Sequence, residues 1–500
     1  MLSSSLAQQL QAELKGATVL TPGSEGYEES LKRWSETAEK RAGAVAQVTT
    51  AEQVAIVIGF ARKHHIEQVV RGGGHGTNGA SSTEGGIVID LSKMNRVTVD
   101  PDNLTIAAEG GCLWRDVDEA AGDYGLAAVG GTVNHTGIGG LTLGGGYGYL
   151  TGRHGLVIDN LLKVKLVNAD SEIVTASPEE HPDLFWALRG AGASFGAVVE
   201  FTYRAHLQRE PVWAGMAVFP LDKLAPIVKF ANDFALSANA DASFNFGFTT
   251  PPHAPGPMLV TLGFYNGLGK EGKRIFAPLF ETGPVFQNFG PMPYCKVNGL
   301  LEESAGHGGR KVIGGAACAI PFAPEFYEEI KKDLLAFIDE VPAAKESLLV
   351  FELVHHGKVQ EVDGSATAFA NRGPYYNAVC MTKWNDPQDD DKCRDFTFRL
   401  KEKVSEHLIK TSDVNPESVG KYLNYNDLTD GRSEQMFGSH DEKLIALKLK
   451  YDPTNVFNKW GAVTAAAVEQ NHGYNTMNLK PQADRRRIGM GRLVASRCRR

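Results

Sequence analysis

Residues 71–76 read Arg71-Gly72-Gly73-Gly74-His75-Gly76, and further on the chain reads Gly144-Gly145-Gly146-Tyr147-Gly148. Consecutive glycines let the backbone approach a ligand closely and aim successive N–H groups at it, which suits a phosphate or pyrophosphate. An imidazole fixed at the end of such a loop, His75, is a nucleophile beside that ligand. One glycine cluster alone is most often a turn. Two in this order, with a histidine closing the first, point to a flavin site.

Neighbouring residues make the pattern specific. Ile87-Val88-Ile89-Asp90-Leu91 follows the first loop, and Gly137-Ile138-Gly139-Gly140 leads into the second. Then come Gly155-Leu156-Val157-Ile158-Asp159-Asn160, Asp183-Leu184-Phe185-Trp186 and Phe195-Gly196-Ala197-Val198-Val199. Near the other end stand Tyr422-Leu423-Asn424-Tyr425 and Tyr451-Asp452-Pro453-Thr454-Asn455-Val456-Phe457. Together these resemble the vanillyl-alcohol-oxidase superfamily, and within it the berberine-bridge-enzyme-like branch, over roughly residues 30–463. The resemblance implies FAD, joined covalently through its 8α-methyl carbon to His75. It implies cofactor contacts from Arg71, Gly72, Gly73, Gly74, Gly76, Thr136, Gly137 and Gly140. Further contacts are implied from Gly144, Gly145, Gly146, Tyr147, Gly148, Asp159, Asn160, Gly196, Val198, Val199, Asn424 and Tyr425.

Departures from the family pattern refine this expectation. Where many relatives carry a cysteine that forms a second tether, this chain has Val133, so one flavin bond is expected. Cys112 is too far from that motif to replace it. Such a pattern is similar to the 6-hydroxynicotine-oxidase type. Thr136 occupies the gatekeeper position, where a small residue admits dioxygen to the flavin, so oxidase behaviour is implied.

Tyr425 matches a phenol that faces flavin and substrate, and Asn424 would hold the flavin ring or orient the substrate. An ordinary phenol titrates near pH ~10, so base work by Tyr425 needs a depressed pKa. Many relatives place a glutamate base seven residues before a tryptophan; counting back from Trp384 gives Asn377, an amide that cannot accept a proton. Tyr425, His135 and His355 remain as candidates, and Glu352 is expected to be solvated, with support of the strand or of the substrate as the alternatives. His355-His356 is read on a strand, pointing to opposite faces, and no metal site is expected.

Composition excludes other classes. A net charge of −8 over 500 residues argues against a nucleic-acid partner or an anionic membrane surface. The six cysteines lack Cys-x-x-Cys spacing, so neither a disulfide framework nor zinc is indicated. No basic, then apolar, leader opens the chain, which predicts a cytoplasmic location. Gly267-Leu268-Gly269-Lys270-Glu271-Gly272-Lys273-Arg274 nearly matches a phosphate-binding P-loop, but Arg274 stands where a hydroxyl is required.

Elements must position these groups. Thr50 and Gln53 form a capping-box pattern ahead of an amphipathic helix, and Gln68-Val69-Val70 reads as a strand feeding the first loop. Short strands at 87–91, 96–99 and 105–108, a helix at 114–121 and a hairpin at 161–175 follow. Beyond about Leu207, longer strands alternate with helices at 325–339 and 393–408. The expected fold is α+β: a discontinuous, two-part FAD-binding domain plus a substrate domain with a mixed or antiparallel sheet covered by helices. The expected boundaries are 1–206 (core about 39–206), 207–414, and a returning segment 415–475, with 476–500 a disordered basic tail. The favoured function is an O2-using oxidase of a small secondary metabolite that releases H2O2. An oxidative cyclase on the same scaffold and a catalytically silent flavoprotein are the alternatives.

Overall fold

The Thr50 hydroxyl accepts the Gln53 backbone N–H at 3.3 Å, and the Gln53 side-chain oxygen accepts the Thr49 backbone N–H at 2.7 Å. This reciprocal cap starts helix α1 (Ala51–Lys63), which buries Val54, Val57, Ile58 and Ala61. The computed structural model describes residues 2–459 except 209–210, 238, 413–420 and 427–432, together with Val463.

α1 packs beside a four-stranded sheet of β1 (Thr18–Leu20), β2 (Ala44–Gln47), β3 (Gln68–Arg71) and β4 (Ile87–Asp90), in the order β1-β2-β4-β3. β2 and β3 both run parallel to β4, which is wholly buried. Because β3 ends at Arg71, the first glycine loop leaves the sheet from a fixed point.

A second sheet contains β5 (Val97–Asp100), β6 (Thr105–Glu109), β7 (Leu161–Val167), β8 (Ile173–Ala176) and β9 (Ala197–Arg204). Its order is β5-β6-β9-β7-β8, antiparallel throughout. The expected hairpin is β7–β8, with Val164 opposite Ala176.

The third sheet is built mainly from β10 (Val212–Phe219), β11 (Ala242–Thr249), β12 (Met258–Tyr265), β13 (Arg310–Cys318), β14 (Leu348–Val354) and β15 (Tyr376–Trp384). Their order is β10-β12-β11-β14-β15-β13, with every one of these pairings antiparallel. Alternation decides which face each side chain takes. Phe244, Phe246, Phe248 and Phe351 join helices Leu224–Ser237, Pro324–Glu340 and Asp390–Thr411 in one core. The intervening residues, Asn245, Val350 and Glu352 among them, line a cavity on the opposite face.

The chain's later part returns to the first two sheets. Helix Asp441–Tyr451 ends in the Tyr451–Phe457 motif, and the motif's Asp452 forms a fully buried ion pair with Lys448 at 2.7 Å. Lys448 also donates to the carbonyls of Ser194 and Phe457, and Asp452 accepts the backbone N–H groups of Val456 and Phe457. That turn sets Phe457 into the core beside α1. The expected basic tail, 476–500, lies outside the described residues. Among the described residues no helix is long and apolar enough to cross a membrane.

Candidate active site

A cavity of about 960 Å³ runs from the first glycine loop to the open face of the third sheet. Its glycine end is made of backbone. A Cβ on Gly73 or on Gly137 would stand 2.4 Å from the other residue's backbone nitrogen, so the two loops touch main chain to main chain. At Gly140, by contrast, a Cβ would meet nothing within 4 Å, leaving that stretch open to a ligand.

His75 stands at the end of this trough with its ring stacked on Trp34, centroids 4.3 Å apart. Its Nε2 lies 3.1 Å from His135 Nδ1, and the His135 ring lies 4.8 Å from that of His307. Enclosure, reinforced by the neighbouring histidines, pushes His75 well below its ordinary value and His135 down to about 4. At neutral pH both imidazoles are therefore uncharged, and a neutral ring is the nucleophilic form. His135 engages Nε2, which leaves Nδ1 as the other ring nitrogen of His75.

At the sheet end, the Tyr425 hydroxyl donates to both carboxylate oxygens of Glu352, at 3.1 and 3.0 Å. Burial raises Glu352 to about 7, with the Tyr425 hydrogen bond opposing the rise. The same burial and the nearby carboxylate push Tyr425 well above an ordinary phenol. Tyr425 is thus a hydrogen-bond donor, and the depressed phenol that base work required is not what the structure contains. Asn424 donates to the Leu141 carbonyl and to the Tyr422 hydroxyl, both at 2.9 Å, fastening this turn to the helix that follows Gly137.

One family model, described as FAD binding domain, matches residues 42–177; another, described as Berberine and berberine like, matches residues 421–461. FAD-linked oxidoreductase pgmH of Aspergillus terreus is 34% identical over 478 residues, covering 92% of this chain and 96% of that protein. The (R)-6-hydroxynicotine oxidase of Paenarthrobacter nicotinovorans is 33% identical over 469 residues, covering 91% and 98%. The crystal structure of 6-hydroxy-D-nicotine oxidase from Arthrobacter nicotinovorans superposes with a TM-score of 0.77 at 25% identity, covering 90% and 98%. The chain belongs to the berberine-bridge-enzyme-like FAD-linked oxidoreductases.

FAD fits this berberine-bridge-enzyme-like cavity, whose backbone-lined trough suits a dinucleotide and ends at His75. Of the expected cofactor positions, Gly72, Gly73, Gly74, His75 and Gly76 line it from the first loop. Thr136, Gly137, Gly140, Tyr147, Gly196, Val198, Asn424 and Tyr425 line it from elsewhere, and so does Val133, at the position of the expected second tether.

Other expected contacts take different places. Arg71 turns away to pair with buried Asp90 at 3.0 Å and faces a smaller, polar hollow behind the loop. Gly144 caps the helix Ile138–Leu143. Gly145 and Gly146 have positive φ, and a Cβ on either would lie 2.5 Å from Phe369 or Val157. Gly148 abuts the Gly130 carbonyl. These glycines serve a tight turn, and only Tyr147 of that loop reaches the cavity.

Asp159 pairs with Arg372 at 2.6 Å, both nearly buried, and accepts the Leu156 N–H. Asn160 binds the carbonyls of His154 and Leu156 and the His206 ring. Val199 lies in the core beside α1. His135, expected as a catalytic group, sits behind His75 and lines the polar hollow with His307 and Arg115. Cys112 is buried and pushed up to about 12.

His355 and His356 follow β14, which ends at Val354; they are not on a strand, and their rings lie nearly parallel, 6.1 Å apart. Among the described residues no group of three or more His, Cys, Asp or Glu could hold a metal ion.

The carboxylate missing at Asn377 is present one strand away. Glu352 on β14 stands directly opposite Asn377 on β15, and it is buried, where a solvated role was expected. Its signal was in the sequence: a lone acid within the apolar run Leu348-Leu349-Val350-Phe351-Glu352-Leu353-Val354. Trp34 and His307, which flank the histidine pair, carried no such signal.

Proposed function

We propose that the chain is an oxidase of a small organic molecule, using dioxygen and releasing H2O2, with FAD held by one covalent bond to His75. Bound FAD would supply the redox chemistry, accepting a hydride from the substrate and passing its two electrons, with two protons, to dioxygen. The observation that carries this reading is the Glu352–Tyr425 pair on the cavity wall. Glu352, poised near neutrality, accepts a proton from the substrate's N–H or O–H. Tyr425 holds the carboxylate in place, and Asn424 fixes the turn from which Tyr425 projects. Thr136 lines the cavity at the expected gatekeeper position, and a side chain shorter than leucine there admits dioxygen. The uncharged His75 ring is in the form able to bond carbon.

A silent flavoprotein has no use for a buried carboxylate facing its cavity, so the pair favours an enzyme. The (R)-6-hydroxynicotine oxidase relative, whose name is that of an oxidase, supports the same reading. Anaerobic mixing with a panel of amines, alcohols and phenols should bleach the flavin for at least one class. Admission of air should then restore the yellow form with stoichiometric peroxide. Product mass reports loss of two hydrogens for simple oxidation; a cyclised product would instead support the tailoring alternative. Bleaching by none of the classes would overturn the oxidase reading.

A further inference from the structure

The cavity face of the third sheet is a lattice whose rows can be read across the strands. One row contains three polar side chains in register: Asn245 on β11 opposite Glu352 on β14, and Glu352 opposite Asn377 on β15. Two residues away the next row is apolar: Val260 opposite Gly247, Gly247 opposite Val350, and Val350 opposite Val379. Beyond it, Leu348 stands opposite Met381, and Met381 opposite Ile313. Every one of these except Gly247 and Asn377 lines the cavity.

Neighbouring side chains on one face of adjacent strands sit about 5 Å apart. The polar row is therefore a narrow band beside an apolar floor, which gives way to Thr249 and Glu346 at its far edge. Within it, Asn245 has a buried side-chain oxygen with no hydrogen-bond partner in the protein, so acceptor capacity is left for a ligand.

We infer that the substrate is a largely apolar molecule with one N–H or O–H donor group, which docks on Glu352 while the rest lies on the Val350–Met381 floor. This rests on the oxidase reading of the same site and names the chemical class that the site takes. A sugar is the wrong class. Its ring of hydroxyls would lose water against valine, leucine and methionine side chains that offer no hydrogen bond in return. An anionic substrate is also the wrong class, because a carboxylate would face the Glu352 charge.

The test uses flavin-loaded protein under anaerobic conditions at pH 8, with binding read from the flavin absorbance change. Its probes are phenethylamine, 2-phenylethanol, 3-phenylpropanoate and cellobiose. The amine or the alcohol should bind at least tenfold more tightly than phenylpropanoate, and cellobiose should give no saturable shift. Glu352→Gln, checked for unchanged flavin content and a melting temperature no lower than that of the wild type, should weaken the preferred probe at least tenfold. Val350→Asn, which puts an amide on the floor, should weaken it as well.

Preference for the amine that disappears in Glu352→Gln identifies a cationic head group. Equal binding of amine and alcohol identifies a neutral one, and both results support the inference. Tighter binding of cellobiose or phenylpropanoate, or no effect of either substitution, overturns it. Binding without any flavin reduction would instead count against the oxidase reading and leave the substrate class standing.

Discussion

The Tyr425 hydroxyl points both ways at once onto Glu352, bonding each carboxylate oxygen at nearly equal distance. Such a bond favours the charged carboxylate, whereas burial favours the neutral acid. Their balance places Glu352 at about 7. The pair thus divides the work: Glu352 gains or loses the proton, and Tyr425 sets the pH at which it does so.

Glu352→Gln should slow flavin reduction by roughly 10²–10⁴, as expected for loss of a general base, while flavin content is unchanged. Tyr425→Phe should cost only about tenfold, the scale of one lost hydrogen bond to a charged group. Rapid mixing under anaerobiosis reads both. Equal losses in the two variants would mean that the phenol itself moves the proton.

pH should act in one direction. A protonated Glu352 cannot accept a proton, so reduction should accelerate as pH rises through about 7 in the wild type. Removing the Tyr425 hydroxyl removes the bond that stabilises the charge, so Tyr425→Phe should move this limb to higher pH. Glu352→Gln should abolish it.

The same carboxyl should weaken the fold in alkali. It titrates near 7 in the folded protein against an ordinary value of 4.5, so its favourable contribution is complete below pH 4.5 and is lost as pH rises through 7. Glu352→Gln should therefore stabilise the protein more at pH 8 than at pH 5, by up to about 3 kcal/mol. Denaturant melts at the two pH values measure the difference, and identical shifts would contradict it.

Flavin should remain on the denatured polypeptide through His75 alone. A denaturing gel of wild type should fluoresce, His75→Ala should not, and mass spectrometry should find no flavin on any cysteine. His135→Ala removes the partner of His75 Nε2 and should slow attachment when FAD is added to apoprotein. Thr136→Leu should retain the bond but slow re-oxidation by air.

Local chemistry was legible where neighbours in sequence are neighbours in space. The Thr50 cap, the strand entering Gly72 and the β7–β8 hairpin all depend on residues a few positions apart. Glu352 could be read as buried from its apolar strand, but its partner could not, because Tyr425 arrives from a distant segment. Arg71 and Asp159 lie within the motifs but bind Asp90 and Arg372, partners that motif spacing does not reveal. Likewise, nothing at Gly145 or Gly146 tells a turn from a cradle until Phe369 and Val157 are seen against them.

Among the described residues, Lys448 and Asp452 are sealed from water with only each other and backbone atoms as partners. Replacing one alone, as in Lys448→Met, leaves an unmatched buried charge and should cost about 3–5 kcal/mol in a denaturant melt. A ribosome delivers the glycine loops and Glu352 first, and the Tyr425 turn and the Lys448–Asp452 clasp emerge long afterwards. The cavity wall is therefore unfinished until the segment carrying Tyr425 has joined Glu352 on the third sheet.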